Sequence, residues 1–210
     1  YSTSITEFLK LQEVKAIIIA CNTASAVAYD AVLKAASFTP VFEVIGPAVS
    51  EAVKRTSSGN IGVIGTRTTI QSLVYRKRLL EALPDASVTD KATPLLVPMI
   101  EEGWLHNQVS QDVIDAYMSD TGFSDIDTLI LGCTHYPLIK NQISSYFQEN
   151  YDHQIELVDS ATAVADSVSA FLKKQDLLSP EKTREDQFYL TDYSPHFRET
   201  AALFLENYVQ

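Results

Sequence analysis

Two stretches of this chain share one design, and their repetition constrains the fold more than any other feature. Ala16-Ile17-Ile18-Ile19-Ala20-Cys21-Asn22-Thr23-Ala24-Ser25-Ala26 and Leu129-Ile130-Leu131-Gly132-Cys133-Thr134-His135-Tyr136-Pro137-Leu138 each read as a buried strand that stops and delivers a cysteine. Polar donors follow, and then a helix. Pro137 suits such a start, because proline in the first helical turn gives up an N–H that has no partner there anyway. The two cysteines are the only ones in the 210 residues and stand 112 positions apart.

The rest of the chain alternates strands with helices. Residues 6–12 carry apolar residues at helical spacing. Residues 15–20 are the first expected strand, with a continuous apolar run that suits a parallel sheet covered on both faces. An alanine-rich helix is expected from Asn22 to about Ala36, with Asn22 or Thr23 as N-cap. A strand over 41–45 should close at Gly46-Pro47, with a helix from Ala48 to Lys54. A strand over 61–65, ending at Thr66, leads to one helix from about Thr69 to Leu83. Further strands are expected over 87–92, around Leu129, over 155–158 and over 187–191. Helices are expected over 108–121, 136–149 and 160–174, and Ser194-Pro195 opens a last one through Asn207. Residues 177–186 look like a polar linker. This alternation means an α/β fold with mostly parallel sheets, and a cysteine elbow in each half suggests two similar lobes rather than one sheet.

Composition closes off other classes. The net charge is −11 and the pI near 4.7, whereas binding nucleic acid needs clustered Lys and Arg against phosphate. Nucleic acid is therefore not an expected partner. No apolar run approaches the roughly 20 residues that span a bilayer, so no membrane association is expected, and Tyr1-Ser2-Thr3-Ser4 does not open a signal peptide. Two thiols, each before a helix, suit a reducing cytoplasm.

Ligands of open α/β sheets bind beyond the carboxyl ends of the strands, where both cysteines lie. A helix N-terminus there favours carboxylates and lowers a thiol's pKa. Asn22, Thr23 and Thr134 add groups able to hold a small anion. Should the two lobes face each other, one thiolate could take a proton from a carbon while the opposite thiol returns one to the other face, inverting the centre. A single buried cysteine is more often a small hydrophobe than a nucleophile, but two in matching polar elbows weigh against that. Cys21, Cys133 and His135 lack a fourth metal ligand, so no metal is expected. No C-x-x-C supports a redox pair, and an amide-cleaving Cys–His enzyme would leave one cysteine without a role. No cofactor-binding motif stands out.

The two cysteine motifs resemble those of glutamate racemases, in the aspartate/glutamate racemase superfamily. Gly62-Val63-Ile64-Gly65-Thr66 with Thr69-Ile70-Gln71-Ser72, the stretch from Pro94 to Gly103, and Asp159-Ser160-Ala161 resemble them too. The resemblance implies cofactor-independent interconversion of L- and D-glutamate, supplying D-glutamate for peptidoglycan. It implies that Cys133 takes the proton from L-glutamate and Cys21 from D-glutamate, that His135 assists Cys133, and that Glu101 pairs with His135. Counting alone leaves Glu101 against Glu102 open, either otherwise reading as a solvated helix start. Substrate binding would fall to Asn22, Thr23, Thr134, Thr66 and Thr69, and a homodimer is the expected assembly.

The expected architecture is a first lobe of residues 1–46 with 159–210, a second of 47–158, and an active site in the cleft between them. The family's Asp-Ser-Gly and Pro-Tyr-Gly motifs do not occur in these residues, so part of the first lobe is expected to be missing from them. Rival readings are an aspartate racemase or another two-thiol isomerase, and a non-catalytic binding protein on the same fold, such as one that engages a topoisomerase. His106, His153 and His196 are expected at the surface.

Overall fold

A computed structural model of the chain describes residues 1–119, 121–151, 154–181, 185–192 and 195–205. It contains two parallel sheets. The smaller pairs β1 (Ile17–Ile19) with β2 (Val41–Glu43), and the larger runs in the order β4 (Ser87–Ala92), β3 (Asn60–Gly65), β5 (Thr128–Gly132), β6 (Glu156–Asp159). In β3 and β5 the side chains of both faces are buried, as their unbroken apolar runs require of strands covered on two sides.

Helices cover the larger sheet on both faces. On one face Ile45, Ala48, Val49 and Ala52 of α3 (Ile45–Arg55) and Tyr75 and Leu79 of α5 (Val74–Ala82) pack on Ile61, Val63, Ile130 and Val158. On the other, α6 (Leu96–Glu101), α7 (Gln108–Met118) and α8 (Lys140–Asn150) enclose Ile64, Leu129 and Leu131. The smaller sheet packs Ile17 and Ile19 against Val32 and Ala36 of α2 (Asn22–Ala36), while α1 (Ser2–Leu11) lies on α2. The chain closes with α9 (Ser160–Lys174) and α10 (Pro195–Leu205).

Several expected elements take a different form. Cys21, not Asn22 or Thr23, occupies the N-cap position of α2, and its side chain makes no capping hydrogen bond. Gly46-Pro47 does not end a strand but lies within the first turn of α3, where proline is tolerated. That helix starts early because the Glu43 carboxylate accepts from the backbone N–H of Ile45 (2.6 Å) and Gly46 (2.8 Å). The helix expected over 69–83 is two helices, α4 (Arg67–Gln71) and α5, separated by Leu73 in the left-handed region at φ 56°. Tyr136–Ile139 forms a 3-10 turn before α8 begins.

Residues 187–191 form no strand. Tyr189 meets Phe8 of α1 edge-to-face at 4.8 Å, which holds the segment against a helix rather than a sheet edge. His106 is exposed, as expected. His153, Ser194 and Asn207 lie outside the described residues, as does the side chain of His196.

Candidate active site

Gly65 and Gly132 are register partners at the ends of neighbouring strands, so Thr66 and Cys133 leave the sheet side by side. The pairing needs glycine at 132, where a Cβ would stand 2.6 Å from the Ile64 carbonyl oxygen. Beyond Cys133 the chain turns tightly, the Tyr136 N–H donating to the Cys133 carbonyl at 3.2 Å. The buried Tyr136 hydroxyl lies 2.6 Å from that of Thr93, whose backbone N–H donates to the Gly65 carbonyl. The turn carrying the thiol is thus pinned to the ends of β3 and β4.

The opposite elbow is built from the smaller sheet. Cys21 is exposed at the start of α2. Ser25, one turn on, donates its hydroxyl to the Ile19 carbonyl (3.1 Å) and accepts from the Val44 N–H (3.4 Å), fixing the helix start to both strands. α2 meets the larger sheet's α4 through three hydroxyls. Thr23 lies 2.9 Å from Thr66 and 3.1 Å from Thr69, and Thr66 and Thr69 are 2.9 Å apart. Thr66 also caps α4, accepting from the Thr69 N–H. Asn22 is buried, and its Oδ1 accepts from the Tyr75 hydroxyl at 2.6 Å. Among the described residues its Nδ2 has no hydrogen-bond partner.

Around the second elbow, Cys133 Sγ lies 3.8 Å from His135 Nδ1, and His135 Nε2 lies 3.1 Å from Glu101 Oε1. Thr134 is exposed, its hydroxyl 3.5 Å from the same Nδ1. Glu101 is thus the carboxylate that meets the imidazole. It is the last residue of α6 and Glu102 is its exposed C-cap, so the pair sits at a helix end rather than a helix start. Phe204 of α10 lies edge-on to the imidazole at 5.0 Å.

The expectation that both thiols are acidified is corrected at Cys133. With 7% of its surface exposed, the thiol is pushed up to about 11, chiefly by burial. The backbone at His135 and the Thr134 hydroxyl pull the other way, while negative charge on Cys21 or Glu101 would raise it further. A 3-10 turn of four residues stands between the thiol and the start of α8, and burial outweighs the hydrogen bonds that favour the thiolate.

All nine expected site residues therefore gather around the two elbows: Cys21, Asn22 and Thr23 on the side of the smaller sheet, and Thr66, Thr69, Glu101, Cys133, Thr134 and His135 on the side of the larger one. Tyr75, Tyr136 and Thr93, which position these groups, escaped the sequence reading. A tyrosine in an apolar helical pattern reads as core, and only its hydroxyl partner distinguishes it.

Known proteins resemble this chain in sequence and fold. Residues 3–168 match the Asp/Glu/Hydantoin racemase family. The glutamate racemase of Syntrophus aciditrophicus is 42% identical over 206 residues, covering 98% of this chain and 74% of its own length. The crystal structure of the Francisella tularensis glutamate racemase in complex with D-glutamate superposes with a TM-score of 0.90 at 36% identity, covering all of this chain and 76% of that one. A Bacillus anthracis glutamate racemase gives 0.86 at 32% identity, covering 98% and 76%. On sequence and fold, the chain belongs to the Asp/Glu/Hydantoin racemase family, among its glutamate racemases.

Proposed function

We propose that the protein interconverts L- and D-glutamate by a two-base mechanism in which Cys133 and Cys21 act on opposite faces of the substrate α-carbon. The observation that carries this reading is the convergence of two cysteine elbows, one from each sheet, joined by the Thr23–Thr66–Thr69 hydroxyls. From L-glutamate, the Cys133 thiolate takes the α-proton and the Cys21 thiol donates one to the other face. From D-glutamate the roles exchange. The His135 imidazole, held by Glu101 at 3.1 Å, exchanges the proton with Cys133 and so offsets the cost of ionising a buried thiol. Asn22, Thr23, Thr66, Thr69 and Thr134 bind the substrate's polar groups, and their preorganised donors stabilise the charge that develops as the α-proton leaves. No group of three or more His, Cys, Asp or Glu side chains able to hold a metal is found among the described residues.

The product D-glutamate would supply peptidoglycan synthesis in the cytoplasm, and the working assembly would be a homodimer. No helix among the described residues is long and apolar enough to cross a membrane. We place the lobe boundaries near Gly46 and Val158, with residues 1–46 and 159–210 in the first lobe and 47–158 in the second.

Circular dichroism of L-glutamate incubated with the full-length protein tests the activity. The signal should decay to zero, and Cys133→Ala should abolish the decay. A persistent signal, or unchanged turnover in the variant, would refute the mechanism. Parallel kcat/KM values should favour glutamate over aspartate.

A further inference from the structure

Tyr75 stands between the two elbows and touches both. Its hydroxyl donates to Asn22 Oδ1 at 2.6 Å, immediately after Cys21 in the chain. Its ring edge lies against Gly132, immediately before Cys133, where a Cβ would come within 3.3 Å of Tyr75 Cε2. The side chain is 2% exposed, and Asn22 is as deeply buried. A buried amide has two ends to satisfy. Tyr75 occupies the oxygen end, while the nitrogen end is the one without a partner among the described residues.

We propose that Tyr75 is a positioning residue that holds the Asn22 amide with its N–H groups turned to a substrate carboxylate and spaces the two cysteine-bearing segments. The inference rests on the racemase reading given above. Because the hydroxyl needs an acceptor, it selects one of the two amide orientations, and the other orientation would set an oxygen against the incoming carboxylate. Burial, with lesser contributions from Glu43 and Cys133 charge, keeps the phenol protonated far above its ordinary range. It therefore remains a donor at any working pH. Removing it leaves the Asn22 oxygen buried without a donor and the amide free to turn.

The test is a double-mutant cycle in the full-length protein, using Tyr75→Phe, Asn22→Ala and the pair, with KM and kcat for both glutamate enantiomers. Tyr75→Phe keeps the ring against Gly132 and should raise KM about tenfold, the size expected for an unsatisfied buried partner, with a smaller change in kcat. In the Asn22→Ala background the same substitution should change KM less than about twofold. An unchanged KM in Tyr75→Phe, or an equal rise in both backgrounds, would overturn the proposal, since a structural role would not depend on Asn22. If the unaltered protein fails to racemise either enantiomer, it is the racemase reading that falls.

A second readout does not depend on Tyr75→Phe folding. With 3-fluorotyrosine at position 75, the 19F resonance should move when glutamate is added and should not move in Asn22→Ala. No movement in the parent protein would also overturn the proposal.

Discussion

At the residue scale the decisive quantity is the cost of ionising Cys133. A thiol pushed up to about 11 carries its proton at neutral pH, so kcat/KM for L-glutamate should rise with pH between about 7 and 9, approaching tenfold per unit. A flat profile would mean that His135 already holds the thiol ionised. The same shift bears on stability. An unfolded cysteine ionises near 8.5, so above that pH the unfolded chain releases a proton that the folded protein keeps. The stabilisation is complete below about pH 8.5 and is lost as the pH climbs toward about 11. Urea melts at pH 8 and 10 should show a smaller alkaline loss for Cys133→Ser than for the parent.

The residues of the two elbows were legible because strand, cysteine and donors are adjacent in the chain. The choice of Glu101 over Glu102 was not, because it depends on how the end of α6 is aimed at His135. The acidity of Cys133 was misjudged for a similar reason. A strand followed by Pro137 implies a helix starting at the thiol, but a 3-10 turn comes before α8 and the thiol is buried.

At the element scale, the crossing between the sheets depends on Glu43. Its buried carboxylate accepts from two N–H groups at the head of α3 and from Arg78 Nη1 at 2.6 Å. Glu43→Ala would strip those donors together and should cost about 2–3 kcal/mol in chemical denaturation. Leu73 offers the opposite case. It is half exposed yet holds a left-handed backbone at φ 56°, so Leu73→Gly should leave stability unchanged or raise Tm, the strain relieved being about 1 kcal/mol.

Neither feature could be read ahead. Gly46-Pro47 looks like a break where a side chain three residues earlier builds a helix start. Between Thr69 and Leu83 no glycine or proline marks the real break. The apolar runs of β3 and β5 were readable because burial on both faces leaves them no polar alternation. Residues 187–191 have strand-like composition, but composition does not supply a pairing partner, and Tyr189 finds Phe8 instead.

At the scale of the whole molecule, two sheets bring their carboxyl ends to one place, where α2 meets α4 through hydroxyl groups. Thr23 of α2 meets Thr66 and Thr69 at 2.9 and 3.1 Å. Such a contact can loosen and re-form more readily than an apolar one, which suits a cleft that admits and releases a small acid. The α/β class and the pairing of two elbows followed from periodicity and from the repeated cysteine. The strand order and the hydroxyl triangle did not, since both depend on contacts between residues dozens of positions apart.

The most direct measurement is racemisation in deuterated water by the full-length protein and by Cys21→Ser and Cys133→Ser, following optical activity and loss of the α-proton together. The parent should invert glutamate while exchanging its α-hydrogen for deuterium. Each serine variant should racemise from either enantiomer at least about 100-fold more slowly. Racemisation at the parent rate after loss of either thiol would contradict the two-thiol mechanism.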